Sequence, residues 1–131
     1  MNEIMIDSNS KAIKARDEII KSCIDFPVFI LEASLSLNYS LNVLNSFASI
    51  VFFFYSMDDH SNIVITSLRD FLLNHFKAKL TDNHRLMIDL KLEQLSKCSR
   101  NFNDISAFQS IFGELVSDMI HYIIKQSPAS S

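Results

Sequence analysis

The feature that most constrains this fold is residues 33–57, a run of 25 residues without a charged side chain. A helix of that length could cross a bilayer. Nine of the residues are polar, however, and the flanking residues are acidic: Glu32 on one side, Asp58 and Asp59 on the other. A membrane-spanning helix usually has few polar residues and basic flanks. We therefore expect no membrane span here, and we expect the run to be buried inside a globular domain.

Within this run, the polar side chains follow a helical pattern. At about 100° per residue, six of them fall in one sector of about 80°. They are Ser34, Asn38, Asn42, Asn45, Ser49 and Ser56. The other positions are mostly apolar, which is typical of a helix at the centre of a domain. The pattern predicts one long, nearly buried central helix at about 28–57.

A β-hairpin is the alternative for the same run. Residues 34–43, SLSLNYSLNV, alternate polar and apolar side chains as an exposed strand does, and they could pair with residues 47–55, FASIVFFFY. The fold would then be α+β. The connecting residues 44–46 contain no glycine, which tight hairpin turns favour. The helix is therefore favoured, and the hairpin stays open as the alternative.

Glycine occurs once and proline twice in the 131 residues. All-β folds need both residue types for their many turns, so this scarcity predicts a few long elements. Apolar periodicity adds helices at about 10–25, 63–80, 84–98 and 105–125. The predicted fold is all-α, a compact bundle of about five helices in one domain, residues 10–125. Residues 1–9 are predicted to be a flexible N-terminus and residues 126–131 a disordered tail.

Two details of these helices follow from single residues. The first helix is predicted to begin at an N-cap, Ser8 or Ser10, and to turn Ile13, Ile20 and Ile24 inward. Pro27 would mark its end or the first turn of the central helix. The glycine, Gly113, falls inside the last helix, where it costs stability relative to alanine. It is therefore expected to mark a close helix crossing.

The cysteines and the first residues predict a cytoplasmic protein, and the net charge bears on its partners. The net charge of −3 gives no general reason to expect nucleic-acid binding. The first residues lack the basic and apolar pattern of a signal peptide. Cys23 and Cys98 form no CxxC motif and are expected to be reduced. With a single glycine, a phosphate-binding loop built from backbone amides is not expected, and we predict no cofactor.

The best candidate for a metal site lies on the last predicted helix. Glu114, Asp118 and His121 are spaced three or four residues apart, so their side chains share one helical face. In bundle metal proteins a carboxylate and a histidine three residues after it, on the same helix, are two of the ligands of a buried ion. The predicted core positions of this helix lie on the other face. We therefore expect a solvated face and no metal.

One short motif resembles an enzyme family. Arg69 and His75, in the stretch RDFLLNH, resemble the arginine–histidine pair of HEPN-type ribonucleases, which are small helical and usually dimeric proteins. The resemblance implies that the pair would position and protonate the RNA phosphate and ribose during metal-independent cleavage. On an unbroken helix, residues six apart point about 120° away from each other, so the two would converge only if the helix began or broke between them.

The aromatic residues give the leading functional hypothesis. Residues 52–55, FFFY, point to every side of one helix, and a domain of this size has difficulty covering all of them. Phe52, Phe53 and Tyr55 are the predicted binding surface. The sequence thus favours a non-enzymatic module that binds another protein, as an adaptor, inhibitor or small regulator, and that self-associates. The alternatives are the ribonuclease with Arg69 and His75 and an α+β dimeric chaperone-type protein.

Overall fold

A computed structural model of the chain describes residues 2–36 and 39–125, with side chains from residue 9 onward. It contains five α-helices and, within the described ranges, no strand. They are α1 (Asn2–Ser36), α2 (Leu41–Ser56), α3 (Ser61–His75), α4 (Asp82–Ser96) and α5 (Ile105–Met119), which continues as a wider π-helical turn over Ile120–Ile124. Short 3-10 turns cover Lys77–Lys79 and Phe102–Asp104. The predicted all-α bundle of about five helices is confirmed.

The single central helix predicted at about 28–57 is wrong, because two helices share that stretch. α1 ends at Ser36, and α2 begins after Ser40, whose hydroxyl accepts a hydrogen bond from the backbone N–H of Val43 at 3.4 Å. Serine is a favoured N-cap because its side chain satisfies an otherwise unpaired helical N–H group. The hairpin alternative is also wrong, since residues 41–55 are helical. The chaperone-type α+β fold depended on this hairpin and is therefore wrong as well.

α1 is longer than predicted in both directions. It begins at Asn2, so the N-cap predicted at Ser8 or Ser10 lies inside the helix, and it continues through Pro27. The flexibility predicted for residues 1–9 stays a prediction, and the predicted tail, residues 126–131, lies outside the described residues. Ile20 is half-buried as expected, but Ile13 and Ile24 are exposed, which contradicts their predicted inward orientation.

Three aromatic side chains form the centre of the core. The ring of Phe108 on α5 lies 5.3 Å from that of Phe52 and 4.9 Å from that of Tyr55, measured between centroids. Leucine, isoleucine and valine side chains from α1, α3 and α4 surround this cluster: Leu31, Leu35, Val64, Leu68, Leu72, Ile88, Leu92 and Leu95. The cluster therefore joins α2 to α5 and holds the other helices around them.

The core predicts opposite results for two neighbouring phenylalanines of α2. Phe52 is 2% exposed and Phe53 is 60% exposed. Phe52→Ala should lower the free energy of unfolding by about 3–5 kcal/mol, because it leaves a cavity beside Phe108. Phe53→Ala is the matched control and should cost less than about 1 kcal/mol. Urea unfolding followed by circular dichroism measures both, and equal losses would contradict this packing.

Gly113 gives a second stability prediction. A Cβ atom built on it meets no heavy atom within 4 Å, so the predicted close helix crossing is wrong. Gly113→Ala should therefore raise the free energy of unfolding by about 0.5–1 kcal/mol, through the better helix propensity of alanine. Thermal unfolding of the two proteins tests this, and a lower stability of the variant would contradict it.

Candidate binding surface

The three residues predicted as a binding surface do not lie together at the surface. Phe52 and Tyr55 are core residues, so that part of the prediction is wrong for the folded chain. Phe53 remains at the surface. Side chains advance by about 100° per residue along a helix, so three consecutive phenylalanines cannot all face one core. In α2, Phe52 faces α5, Phe54 packs toward α1 and Phe53 faces away from the core.

Phe53 belongs to a larger apolar patch that α1 and α2 build together. The ring of Phe26 on α1 stacks on that of Phe54 at 5.6 Å and 12°, and Phe53 meets Phe54 edge-on at 5.3 Å. Phe29 follows Phe26 by three residues and Ile50 precedes Phe53 by three, so each shares a helix face with its neighbour. We call Phe26, Phe29, Ile50, Phe53 and Phe54 the aromatic surface. Four of the five are exposed, and Phe54 is half-buried.

The polar stripe of α2 is partly turned into the protein. On α5, the Gln109 side-chain amide donates to the hydroxyl of Ser49 at 2.9 Å and to the backbone carbonyl of Asn45 at 3.3 Å. These polar groups are satisfied between the helices, whereas Ile50 and Phe53 face solvent. A helix that packs polar side chains on its neighbour and exposes Ile50 and Phe53 leaves an apolar face without a partner.

The charge around the aromatic surface is negative. α2 contributes no charged residue over its whole length. On α1, Asp25 and Glu32 lie four residues before and three residues after Phe29, so both carboxylates flank its ring on the same helical face. Both side chains are exposed. The surface therefore combines apolar rings with an acidic border on the α1 side.

Arg69 and His75, the pair that resembles the HEPN ribonuclease motif, lie on one continuous helix. α3 runs from Ser61 through both residues to His75, so they point about 120° apart. The guanidinium of Arg69 donates to Asp89 of α4 at 2.8 Å, and the ring of His75 stacks on Phe71 at 5.1 Å. The break between the two residues that would bring them together is not present in α3.

The histidine and cysteine side chains form one contact of chemical interest. The thiol of Cys23 on α1 lies 3.3 Å from Nδ1 of His60, the residue before α3. Cys23 is fully buried, and burial raises the pKa of its thiol, so the reactive thiolate is disfavoured. The contact is better suited to joining α1 to the α2–α3 turn than to nucleophilic catalysis.

The described residues contain no group of three or more His, Cys, Asp or Glu placed to hold a metal ion. Of the candidate set on α5, Glu114 pairs with Lys91 of α4. His121 is exposed and its ring packs edge-on against Tyr122. These side chains are thus engaged with neighbours at the surface. Across residues 2–36 and 39–125, no helix has the length and apolarity needed to cross a membrane.

Two clefts were not expected from the sequence. An open groove of about 460 Å³ lies between α1 and α3, lined by Ile24, Ile63, Thr66 and three other residues. A polar cleft lies where the α2–α3 turn meets the connection between α4 and α5. There the Tyr55 hydroxyl donates to the Cys98 carbonyl at 2.6 Å, and Arg100 donates to the carbonyl of Asp58. These bonds hold the two connections together.

Comparison with known proteins adds nothing to this description: no protein-family model, no curated protein and no solved structure matches the chain. The function must therefore be argued from the residues of the chain itself.

The environment of Tyr55 predicts an alkaline limit to stability. Burial raises the pKa of Tyr55, the Cys98 thiol raises it further, and Arg100 lowers it. The unfolded chain therefore loses the phenolic proton at a lower pH than the folded chain does. The contribution of Tyr55 to the free energy of unfolding is thus fully present below about pH 10, and it falls as the pH rises beyond that value. Tyr55→Phe should weaken this fall and should cost about 1–2 kcal/mol at neutral pH, because the carbonyls of Ser96 and Cys98 both lose their donor.

Urea unfolding across neutral and alkaline pH measures both effects, with Tyr122→Phe as the matched control, because Tyr122 is exposed. If the two variants respond equally to alkaline pH, the role given to Tyr55 is contradicted.

Proposed function

We propose that this chain is a protein-binding module, acting as an adaptor, inhibitor or small regulator without catalytic activity of its own. It binds its partner through the aromatic surface. The observation that carries the proposal is the exposure of Phe29 and Phe53, 64% and 60%, next to the Phe26–Phe54 stack. Burial of apolar surface contributes about 25 cal/mol per Å². Contiguous exposed rings are therefore characteristic of surfaces that a partner covers.

The charges around the surface define the chemistry of the partner. An uncharged α2 offers rings but no ion pair, whereas Asp25 and Glu32 offer carboxylates beside Phe29. The matching ligand is an amphipathic helix of another protein, with an apolar face to cover the rings and Lys or Arg along one edge of that face. A ligand with an acidic edge would be repelled by the same two carboxylates.

The proposal places this binding in a reducing, cytoplasmic compartment. Cys23 and Cys98 are both free thiols, which agrees with such a compartment. The thiol of Cys23 packs inside the bundle, where burial also raises its pKa.

The proposal predicts that a charge on the aromatic surface abolishes partner binding without unfolding the protein. Tagged wild type and the variants Phe53→Glu and Phe102→Glu are used to capture proteins from the natural source, and the enriched partner is then purified and titrated. Phe102 is the matched control, because it is 72% exposed and lies between α4 and α5. Phe53→Glu should raise the dissociation constant by about tenfold or more, and tenfold is equivalent to about 1.4 kcal/mol of binding free energy. Phe102→Glu should leave it unchanged.

Three outcomes would contradict the proposal. The purified partner could bind Phe53→Glu and Phe102→Glu with equal affinity. Alternatively, the wild type could capture no protein that the Phe53→Glu variant does not capture equally well. The wild type could also cleave RNA, with the activity lost in His75→Ala, which would refute the statement that the chain has no catalytic activity. Circular dichroism of each variant confirms beforehand that its helix content is that of the wild type.

A further inference from the structure

A cavity of about 230 Å³ lies where the end of α1, the connection to α2 and the last turns of α5 meet. Ser34 of α1 forms part of its wall and is fully buried, so it marks the inner end. His121 and Lys125 also line the cavity but are exposed, so they mark its mouth. The hydroxyl of Ser34 donates to the carbonyl of Ile30 at 2.7 Å, so the donor of this buried serine is satisfied within α1.

The polar side chains of the cavity wall are hydrogen-bond donors. They belong to Tyr39, Ser117, His121 and Lys125. The ammonium group of Lys125 is a cation with three donors, and the imidazole of His121 donates at least one N–H in either tautomer. Among the described residues that form the wall there is no aspartate or glutamate. The wall therefore favours an anionic group at the mouth.

The carboxylates on the same face of α5 lie outside this cavity. Glu114 and Asp118 line the next cleft along the helix, which shares Leu44 and Ser117 with the cavity. At 1.5 Å per residue, Asp118 lies about 10 Å before Lys125 along the helix axis. Coulomb energy falls with distance, so an anion beside Lys125 is attracted by this lysine more strongly than it is repelled by Asp118.

A wider turn of helix carries the two basic side chains. The backbone N–H of Lys125 donates to the carbonyl of Ile120, five residues earlier, at 2.9 Å, which is the π-helical pattern. Turns of this kind are rare and are frequently found at functional sites. This turn ends α5 with His121 and Lys125 in the wall of one cavity.

The rest of the wall is apolar and limits the size of a ligand. Leu44, Val116 and Ile120 contribute to it. The ring of Tyr39 packs edge-on against that of Phe47 at 5.0 Å, which fixes the side of the cavity formed by the α1–α2 connection. At about 30 Å³ for each water-sized group, the cavity holds roughly seven or eight non-hydrogen atoms. A small ligand with one charged end and an apolar body matches this wall.

We propose that this cavity binds a small free carboxylic acid in its ionised form. The carboxylate lies between His121 and Lys125, and an apolar body of about five carbons extends toward Ser34. This inference does not rest on the proposed function. Leu44 precedes Phe53 by nine residues, so on α2 the two side chains point about 180° apart and lie about 14 Å apart along the axis. A ligand in the cavity therefore leaves the aromatic surface free.

Isothermal titration calorimetry with hexanoate tests the site, with hexanamide and acetate as comparison probes. Hexanoate should bind one-to-one with a dissociation constant below about 10 mM. Hexanamide has the same number of non-hydrogen atoms but no charge, and should bind about tenfold more weakly, because hydrogen bonds to an ionised group are about twice as strong as neutral ones. Acetate keeps the charge without the apolar body and should also bind at least about tenfold more weakly.

A double variant tests the contacts with the carboxylate. His121→Gln with Lys125→Gln should raise the dissociation constant of hexanoate by about tenfold, because the anion loses its cationic partner. His75→Gln with Lys79→Gln is the matched control. It removes the same two side chain types at the same spacing from another exposed part of the chain, and it should leave the dissociation constant unchanged.

A second pair of variants tests the cavity without changing its charge. Ser117→Leu adds apolar volume to the wall and should raise the dissociation constant of hexanoate by about tenfold, because less space remains for the ligand. Ser110→Leu is the control, since Ser110 is exposed on the same helix and lines the neighbouring cleft instead. Phe53→Glu should bind hexanoate as the wild type does. Amide spectra by NMR should show the ligand-induced shifts around residues 39–44 and 116–125.

Several results would overturn the proposal. Hexanoate could fail to bind below about 10 mM, hexanamide could bind as tightly as hexanoate, or either control variant could lose as much affinity as its partner. Shifts confined to the residues of the aromatic surface would place hexanoate elsewhere. A tetrapeptide that ends in leucine carries the same chemical groups at its C-terminus. Tighter binding of this peptide than of hexanoate would assign the cavity to a peptide terminus and contradict a free acid. None of these results affects the test of partner binding.

Discussion

The packing of Phe52 and Tyr55 against Phe108 decides the rotation of α2 about its axis, and the rest of the surface depends on that rotation. Once positions 52 and 55 face α5, position 53 must face away, because side chains advance by about 100° per residue. Phe54 then meets Phe26 of α1 and completes a continuous apolar patch. The exposed rings are a consequence of the core, and a partner that covers them need not disturb it.

The fold class could be predicted from the sequence because it depends on a global property, the near absence of glycine and proline. The division between α1 and α2 could not. It depends on Ser40 acting as an N-cap, and Ser40 is one of nine polar residues in the same uncharged run. Pro27 led to the opposite error, because the sequence predicted a helix boundary at a residue where the helix continues. It usually ends a helix, yet here α1 continues through it, with Pro27 buried against the bundle.

The candidate site was predictable only in part, for a related reason. Four consecutive aromatic residues guarantee that some ring of α2 is exposed, but the sequence does not say which one. That choice depends on contacts with α1 and α5, which are distant in sequence. Phe26 and Phe29 were missed because their exposure follows from the position of α1 in the bundle. The sequence did allow one condition to be stated in advance: Arg69 and His75 could converge only if their helix began or broke between them. α3 runs unbroken through both residues, so this condition is not met.

The central claim is that the aromatic surface is where this protein meets another one, and cross-linking in living cells tests it most directly. A photoreactive phenylalanine analogue would replace Phe53 in one protein and Phe102 in another, since both positions are exposed. The account predicts a discrete adduct with another protein from position 53 and none from position 102. The cross-linked peptide should come from an amphipathic helix with Lys or Arg beside its apolar face. The same adducts from both positions, or none from position 53, would contradict the claim.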